Sequence, residues 1–202
     1  MPMFPLGTVL LPHGVLPLQV FEPRYQAMME DLDPGDPHFG VVLIERGSEV
    51  GGGDARSSRG TRARVVHRQR REDGRWVLVA TGVARLRVER WLPDDPYPSA
   101  VVVDEEEDPW DPANADALRG AERAVRRALA LAAEVGVPAL PATMALAGDP
   151  AVAAWQLAAA VPVGPSDRQR LLVADSAADR LRLVSEMAAA ATELLAFRIG
   201  GG

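Results

Sequence analysis

The residues best equipped for chemistry are arginines. Arg62, Arg64, Arg68, Arg70, Arg71, Arg85 and Arg87 crowd one stretch of the chain. Side chains alternate across a β-strand, so in extended chain Arg62, Arg64, Arg68 and Arg70 share one face and Ala63, Val65 and His67 the other. Arg85 and Arg87 oppose Leu86 and Val88 in the same way. A guanidinium fork matches phosphate oxygens. The candidate nucleic-acid face is therefore Arg62, Arg64, Arg68, Arg70, Arg85 and Arg87. Two observations weigh against it. RNA-binding sheets interleave aromatic rings for base stacking, and only Trp76 stands near. A net charge of −6 is also a poor electrostatic footprint for nucleic acid. A solvated sheet face is the plainer account, and nucleic acid is disfavoured as a partner.

Other chemistry is thin. His13, His38 and His67 are far apart, and none has a second ligand at metal spacing. No metal or other cofactor is expected. No G-x-S-x-G string supplies a strained nucleophile; Ser57 and Ser58 lie in a glycine-rich stretch, and Ser166, Ser176 and Ser185 fit helix caps or helices. The acidic run 104–108 lacks the alternating ligands and glycine turn of a calcium loop. All 22 Lys+Arg residues are arginine, which removes a P-loop lysine, a Schiff-base lysine and a Ser-Lys dyad. With 0 cysteines there are no disulfides, thiolate nucleophiles or cysteine zinc ligands. No catalytic residues are expected. An enzyme acting on a small molecule in a cleft finds no side chains to carry it.

The elements that position these residues read as a β-rich half followed by a helical half. Prolines at 5, 12, 17 and 23 bar a helix from the first 23 residues. Two strand-like runs, 8–11 and 15–21, flank a Pro12-His13-Gly14 corner, and Pro17 places the second run at a sheet edge or a bulge. Pro23 opens a helix over 24–32, with Tyr25, Met28, Met29 and Leu32 facing the core. Residues 39–45 read as a central strand. Residues 47–60 carry three consecutive glycines but no P-loop lysine, and read as a flexible hairpin loop. Strands over 61–71 and 75–80 meet at Glu72-Asp73-Gly74, a strong hairpin signal. Further strands follow over 84–89 and 99–105. Six strands and one helix predict a barrel-like lobe.

After Asp108-Pro109-Trp110-Asp111-Pro112, apolar residues recur at helical spacing. Helices are expected over 116–135, 151–161, 167–174 and 177–197. Asp149-Pro150, Ser166 and Ser176 with Asp179 act as their start signals. The fold class is α+β: a β-rich lobe over 1–110 and a helical bundle over 111–202. Residues 1–100 balance 13 Arg against 13 Asp+Glu, whereas 101–202 carry 9 against 15, so the charge shifts near the same boundary. No apolar run reaches membrane-spanning length, and the N-terminal segment lacks a basic signal region. A cytoplasmic protein that does not engage membrane is expected.

A set of short motifs resembles one family. Phe4-Pro5-Leu6, Val9-Leu10-Leu11-Pro12, Leu16-Pro17-Leu18 and Val20-Phe21-Glu22-Pro23-Arg24-Tyr25 are similar to the signature of the Lon protease N-terminal, substrate-binding domain. Gly60-Thr61-Arg62-Ala63-Arg64-Val65, the 82–88 segment and Pro96-Tyr97 extend the likeness, as do Ala154-Trp155-Gln156-Leu157 and 167–172. The match is nearest to free-standing bacterial members without ATPase or protease domains. One departure stands out: the family places glycine directly after the proline at 12, where this chain has His13 and then Gly14.

The resemblance implies a PUA-like β-barrel lobe followed by a helical bundle. It also implies a non-catalytic module that binds unfolded or exposed polypeptide segments, in the setting of a protease or ATPase partner. Grooves at the barrel–bundle junction, or strand addition at an open edge, are the expected modes. Pro17, Phe21, Arg24 and Tyr25 are the candidate peptide-binding residues. The alternative is a PUA-like nucleic-acid binder using the arginine face. The sequence does not specify the oligomeric state.

Overall fold

The computed structural model describes residues 1–46 and 55–200, which fall into two units, Met1–Glu106 and Glu107–Gly202. The first holds β1 (Met3–Leu6), β2 (Val15–Val20), α1 (Pro23–Asp31), β3 (His38–Arg46), β4 (Ala55–Arg70), β5 (Trp76–Trp91) and β6 (Ala100–Glu105). The strands form one sheet in the order β1-β3-β4-β5-β2, with β6 also on β5. β1 runs parallel to β3, and the other pairings are antiparallel. The 16 residues of β5 make this possible. Trp76–Thr81 pairs with β2, and Arg85–Trp91 pairs with β6. The sheet curls until Pro2 bridges Ser99. There Met3 N–H donates to the Pro98 carbonyl (2.8 Å) and Ala100 N–H to that of Met1 (3.0 Å). β2 stays outside this ring.

The core explains the curl. Phe4 stacks on Tyr25 with centroids 4.0 Å apart, and Phe39 lies 6.1 Å from Phe4. Met28, Met29 and Leu78 fill in around them. Met3, Val42, Leu86, Val88 and Ala100 form a second cluster.

Several expectations need correction. Residues 8–11 are not a strand; the chain there is held by single polar contacts. Thr61 Oγ1 donates to the Leu10 carbonyl (2.6 Å) and Gly14 N–H to that of Leu11 (2.9 Å). The first strand is Met3–Leu6 instead. No break occurs at Gly82, where β5 runs straight through. Glycine is needed there because a Cβ would fall 2.3 Å from the Leu11 carbonyl oxygen. Residues 55–60 of the expected glycine loop belong to β4, and 47–54 lie outside the described residues. His67, expected inside, is exposed, and Arg85, expected on the wet face, is buried. A bulge causes the first change. The extra residue at Val66, between the pairs Val65–Ala80 and His67–Val79, reverses the parity of β4. Val83, between the partners of Ala63 and Arg62, is an extra residue in β5, but the parity there holds: Leu78, Ala80, Leu86 and Val88 are all buried, and Arg85 is buried as well.

The second unit holds a 3-10 turn, Pro112–Asn114, then α2 (Ala115–Glu134), α3 (Pro150–Ala160), α4 (Pro165–Leu172) and α5 (Ala177–Gly200). α2 buries Ala121, Val125, Ala128, Leu129 and Ala132, and α5 buries Leu181, Val184, Met187 and Ala188. Asp149 accepts hydrogen bonds from Ala151 N–H (2.8 Å) and Val152 N–H (3.3 Å), capping α3 as expected. Asp179 N–H donates to Ser176 Oγ at 3.1 Å, and the Ser176 hydroxyl donates to Asp179 Oδ2 at 2.6 Å. Ser166 is not a cap: Gly164 holds that place and Pro165 fills the first turn, where its fixed φ suits the helix. Among the described residues no helix is long and apolar enough to cross a membrane.

Candidate functional site

β2 is an edge strand with an alternating pattern. Leu16 and Val20 face the core, and Val15, Pro17 and Gln19 face out. Pro17 stands opposite Val79. It has no N–H to give β5, so its nitrogen belongs on the open side. Just past the strand, Phe21 is 58% exposed, an unusual place for a phenyl ring. Pro23 then turns the chain into α1. Glu22, Phe21, Gln19 and Leu18 line a shallow pocket of about 80 Å³ whose floor is Phe4 and Tyr25. Arg24 roofs Tyr25, its guanidinium carbon 4.6 Å from the ring centroid, and pairs with Glu22 at 3.0 Å. Of the four expected peptide-site residues, Phe21, Arg24 and Tyr25 meet at one corner, and Pro17 lies along β2 opposite Val79. Pro17 and Phe21 present surface, while Tyr25 is core and Arg24 braces it.

The six arginines of the alternative face do not converge. Arg62 pairs with Asp104 at 2.8 Å and Arg70 with Glu30 at 3.1 Å. Arg68 donates to the Met29 carbonyl at 3.2 Å, and Arg87 lies 3.5 Å from Glu89. Arg59, beside them, is bonded to Glu105. Arg85 is buried, and Arg64 is exposed next to His38 in the β3–β4 register. Carboxylates therefore neutralise half of the six, Arg62, Arg70 and Arg87. Arg62 and Arg70 also sit about 26 Å apart along one strand, at roughly 3.3 Å per residue.

The second unit has a larger concave surface that the periodicity of α5 did not flag. A groove of about 580 Å³ runs between the second half of α5 and the 162–164 turn. Val137, Val163, Met187, Ala191, Leu194 and Leu195 form its apolar walls. Leu194 is 58% exposed, and Phe197, on the same helix, 78%. The signal available in the sequence was that Leu194 and Phe197 fall off the helical stripe Leu181, Val184, Ala188, Ala191 and Leu195. Among the described residues no cluster of three or more His, Asp or Glu is placed to hold a metal.

Residues 1–190 match the family described as the ATP-dependent protease La (LON) substrate-binding domain. The chain belongs to the LON substrate-binding domain family. Lon protease 2 of Myxococcus xanthus is 36% identical over 104 residues, which is 50% of this chain and 13% of that protein. Lon protease of Anaeromyxobacter dehalogenans (strain 2CP-C) is 29% identical over 199 residues, 96% of this chain and 24% of the protease. The chain thus spans less than a quarter of either relative. Among solved structures, the Lon N-terminal domain protein from Xanthomonas campestris has a TM-score of 0.65 at 27% identity, over 90% of this chain and 94% of that one. The N-terminal domain of Mycobacterium avium complex Lon protease has the same TM-score, 0.65, at 17% identity, over 93% and 96% of the two chains. That second likeness bears on fold alone. The curled mixed sheet followed by helices is the Lon N-terminal domain architecture.

Proposed function

We propose that this LON-family chain is a non-catalytic recognition module for unfolded or exposed polypeptide segments, working in the setting of a protease or ATPase partner. Family membership supports substrate recognition. The observation that carries the polypeptide reading is Phe21, an exposed ring beside the open edge of β2. An extended segment laid along Val15–Val20 would gain main-chain hydrogen bonds from the outward-facing residues and pack an apolar side chain on Phe21. Pro17 interrupts that ladder. This limits stable strand addition and guards the edge against self-pairing. Binding by such an edge is weak and reversible, which suits a module that samples clients.

The test is titration of a fluorescently labelled, permanently unfolded polypeptide into the protein, followed by anisotropy, with a parallel assay of protection from aggregation. Saturable binding in the micromolar range is expected, and Phe21→Ser should weaken it about tenfold, the scale of one lost aromatic anchor. Absence of saturable binding overturns the proposal. So does RNA binding at low salt that falls with a steep salt dependence, because the arginine stripe would then be the working surface.

A further inference from the structure

We infer that the α5 groove is a second polypeptide-binding site, specific for a short apolar segment that carries a carboxylate at one end. This rests on the polypeptide-binding reading above and adds a site to it. The groove extends along α5 from Met187 to Arg198, about 16 Å at 1.5 Å per residue. An extended segment of about five residues spans that length. Its volume of about 580 Å³ lies within the range of about 300–1,000 Å³ typical of ligand sites. Met187 on the floor is a flexible, polarisable side chain that adapts to different apolar partners. Leu194 and Phe197 remain in water on a helix that buries Leu181, Val184, Met187 and Leu195.

The rim charges decide the chemistry of the occupant. Asp167 is paired with Arg170 at 3.0 Å, and Glu186 with Arg182 at 2.8 Å. Arg198, at the far end of the groove, makes no ion pair among the described residues. The groove therefore offers an apolar floor and one uncommitted cation at a fixed end. An apolar peptide with an acidic residue at that end complements both features. A basic peptide meets a like charge instead.

The experiment uses two labelled pentapeptides of the same apolar core, one ending in aspartate and one in arginine, each with a blocked C-terminus. The wild-type chain should bind the acidic peptide more tightly. Leu194→Glu should weaken it at least about tenfold by placing a charge in the apolar wall. Arg198→Glu should reverse the preference between the two peptides, with each affinity moving about two- to fivefold, the scale of an exposed ion pair. Leu194 and Arg198 are exposed, so circular dichroism and thermal melts should match those of wild type. If the acidic peptide binds but neither substitution changes its affinity, while Phe21→Ser abolishes binding, the groove inference fails and the β2 site stands. If neither the pentapeptides nor the unfolded polypeptide bind, both fail. If sedimentation shows self-association that Leu194→Glu abolishes, a second copy fills the groove and this inference is overturned.

Discussion

The guanidinium carbon of Arg180 lies 3.3 Å from the centroid of the Trp155 ring, with both residues buried. Arg180 also pairs with Glu107 at 3.2 Å. A planar cation stacked on indole is well placed for cation–π attraction, strongest when water is excluded. The pair fastens α3 to the start of α5. Arg180→Ala should cost about 3 kcal/mol in urea unfolding, because it empties the buried space over Trp155. Arg180→Lys keeps the charge but loses the plane, and should recover less than half of that. Equal stability of Arg180→Ala and wild type would refute the assignment.

Gly82 carries the second prediction. Its α-carbon lies against the Leu11 backbone, where an added Cβ falls 2.3 Å from the carbonyl oxygen. Gly82→Ala should destabilise the protein by about 3 kcal/mol, at the upper end of overpacking costs. Gly148→Ala is the control. It has nothing within 4 Å, and its melting temperature should stay within a degree or two of wild type or rise slightly.

At the corner before β2, His13 has φ of 60°, a left-handed conformation that costs an L-residue about 1–2 kcal/mol. Its side chain is exposed, and its N–H donates to Gly82 O at 2.9 Å, a bond that any residue keeps. Glycine adopts this conformation without that cost. His13→Gly should stabilise the protein by about 0.5–1 kcal/mol once the extra entropy of an unfolded glycine is subtracted. A lower denaturation midpoint would contradict this.

Tyr97 gives a pH prediction. Its hydroxyl donates to Asp31 Oδ2 at 2.9 Å, and burial first, then this bond and the carboxylate's charge, raise its pKa above 10. The folded state therefore holds the phenolic proton more tightly than the unfolded state does. The contribution is complete below pH 10 and is lost as pH rises through the folded pKa. With 0 cysteines and no lysine, few other side chains titrate in that window. Melting temperature should fall above pH 10 in wild type and fall less in Tyr97→Phe. Parallel curves for the two proteins would rule the contact out as the cause.

Much of the architecture was legible because it rests on local chemistry. Asp73-Gly74 announced the β4–β5 turn, and Gly74 there has φ of 81°. Asp149-Pro150 and Ser176 marked helix starts that the side-chain bonds bear out. What was missed depends on partners distant in sequence. Met3–Leu6 is a strand only because β3 lies parallel to it. Gly82 looks like a breaker until the Leu11 carbonyl is placed over it. One bulge residue, Val66, turns His67 from inside to outside, and no alternation rule shows where a bulge will fall. The exposed ring of Phe21 and the α5 groove were hidden for a related reason: an apolar residue reads as core until the missing neighbour is seen.

β5 has one further consequence. Every strand of the ring that closes at Pro2 and Ser99 hydrogen-bonds without help from β2. β2 leans only on the first half of β5, like a stave added outside a finished cask. It can loosen by breaking its own ladder while the ring stays shut. Amide protons of Leu16, Leu18 and Val20 should then exchange by partial opening, at a lower free energy than those at the β4–β5 centre. The surface that carries Phe21 is thus the part of the sheet best able to yield when another chain arrives.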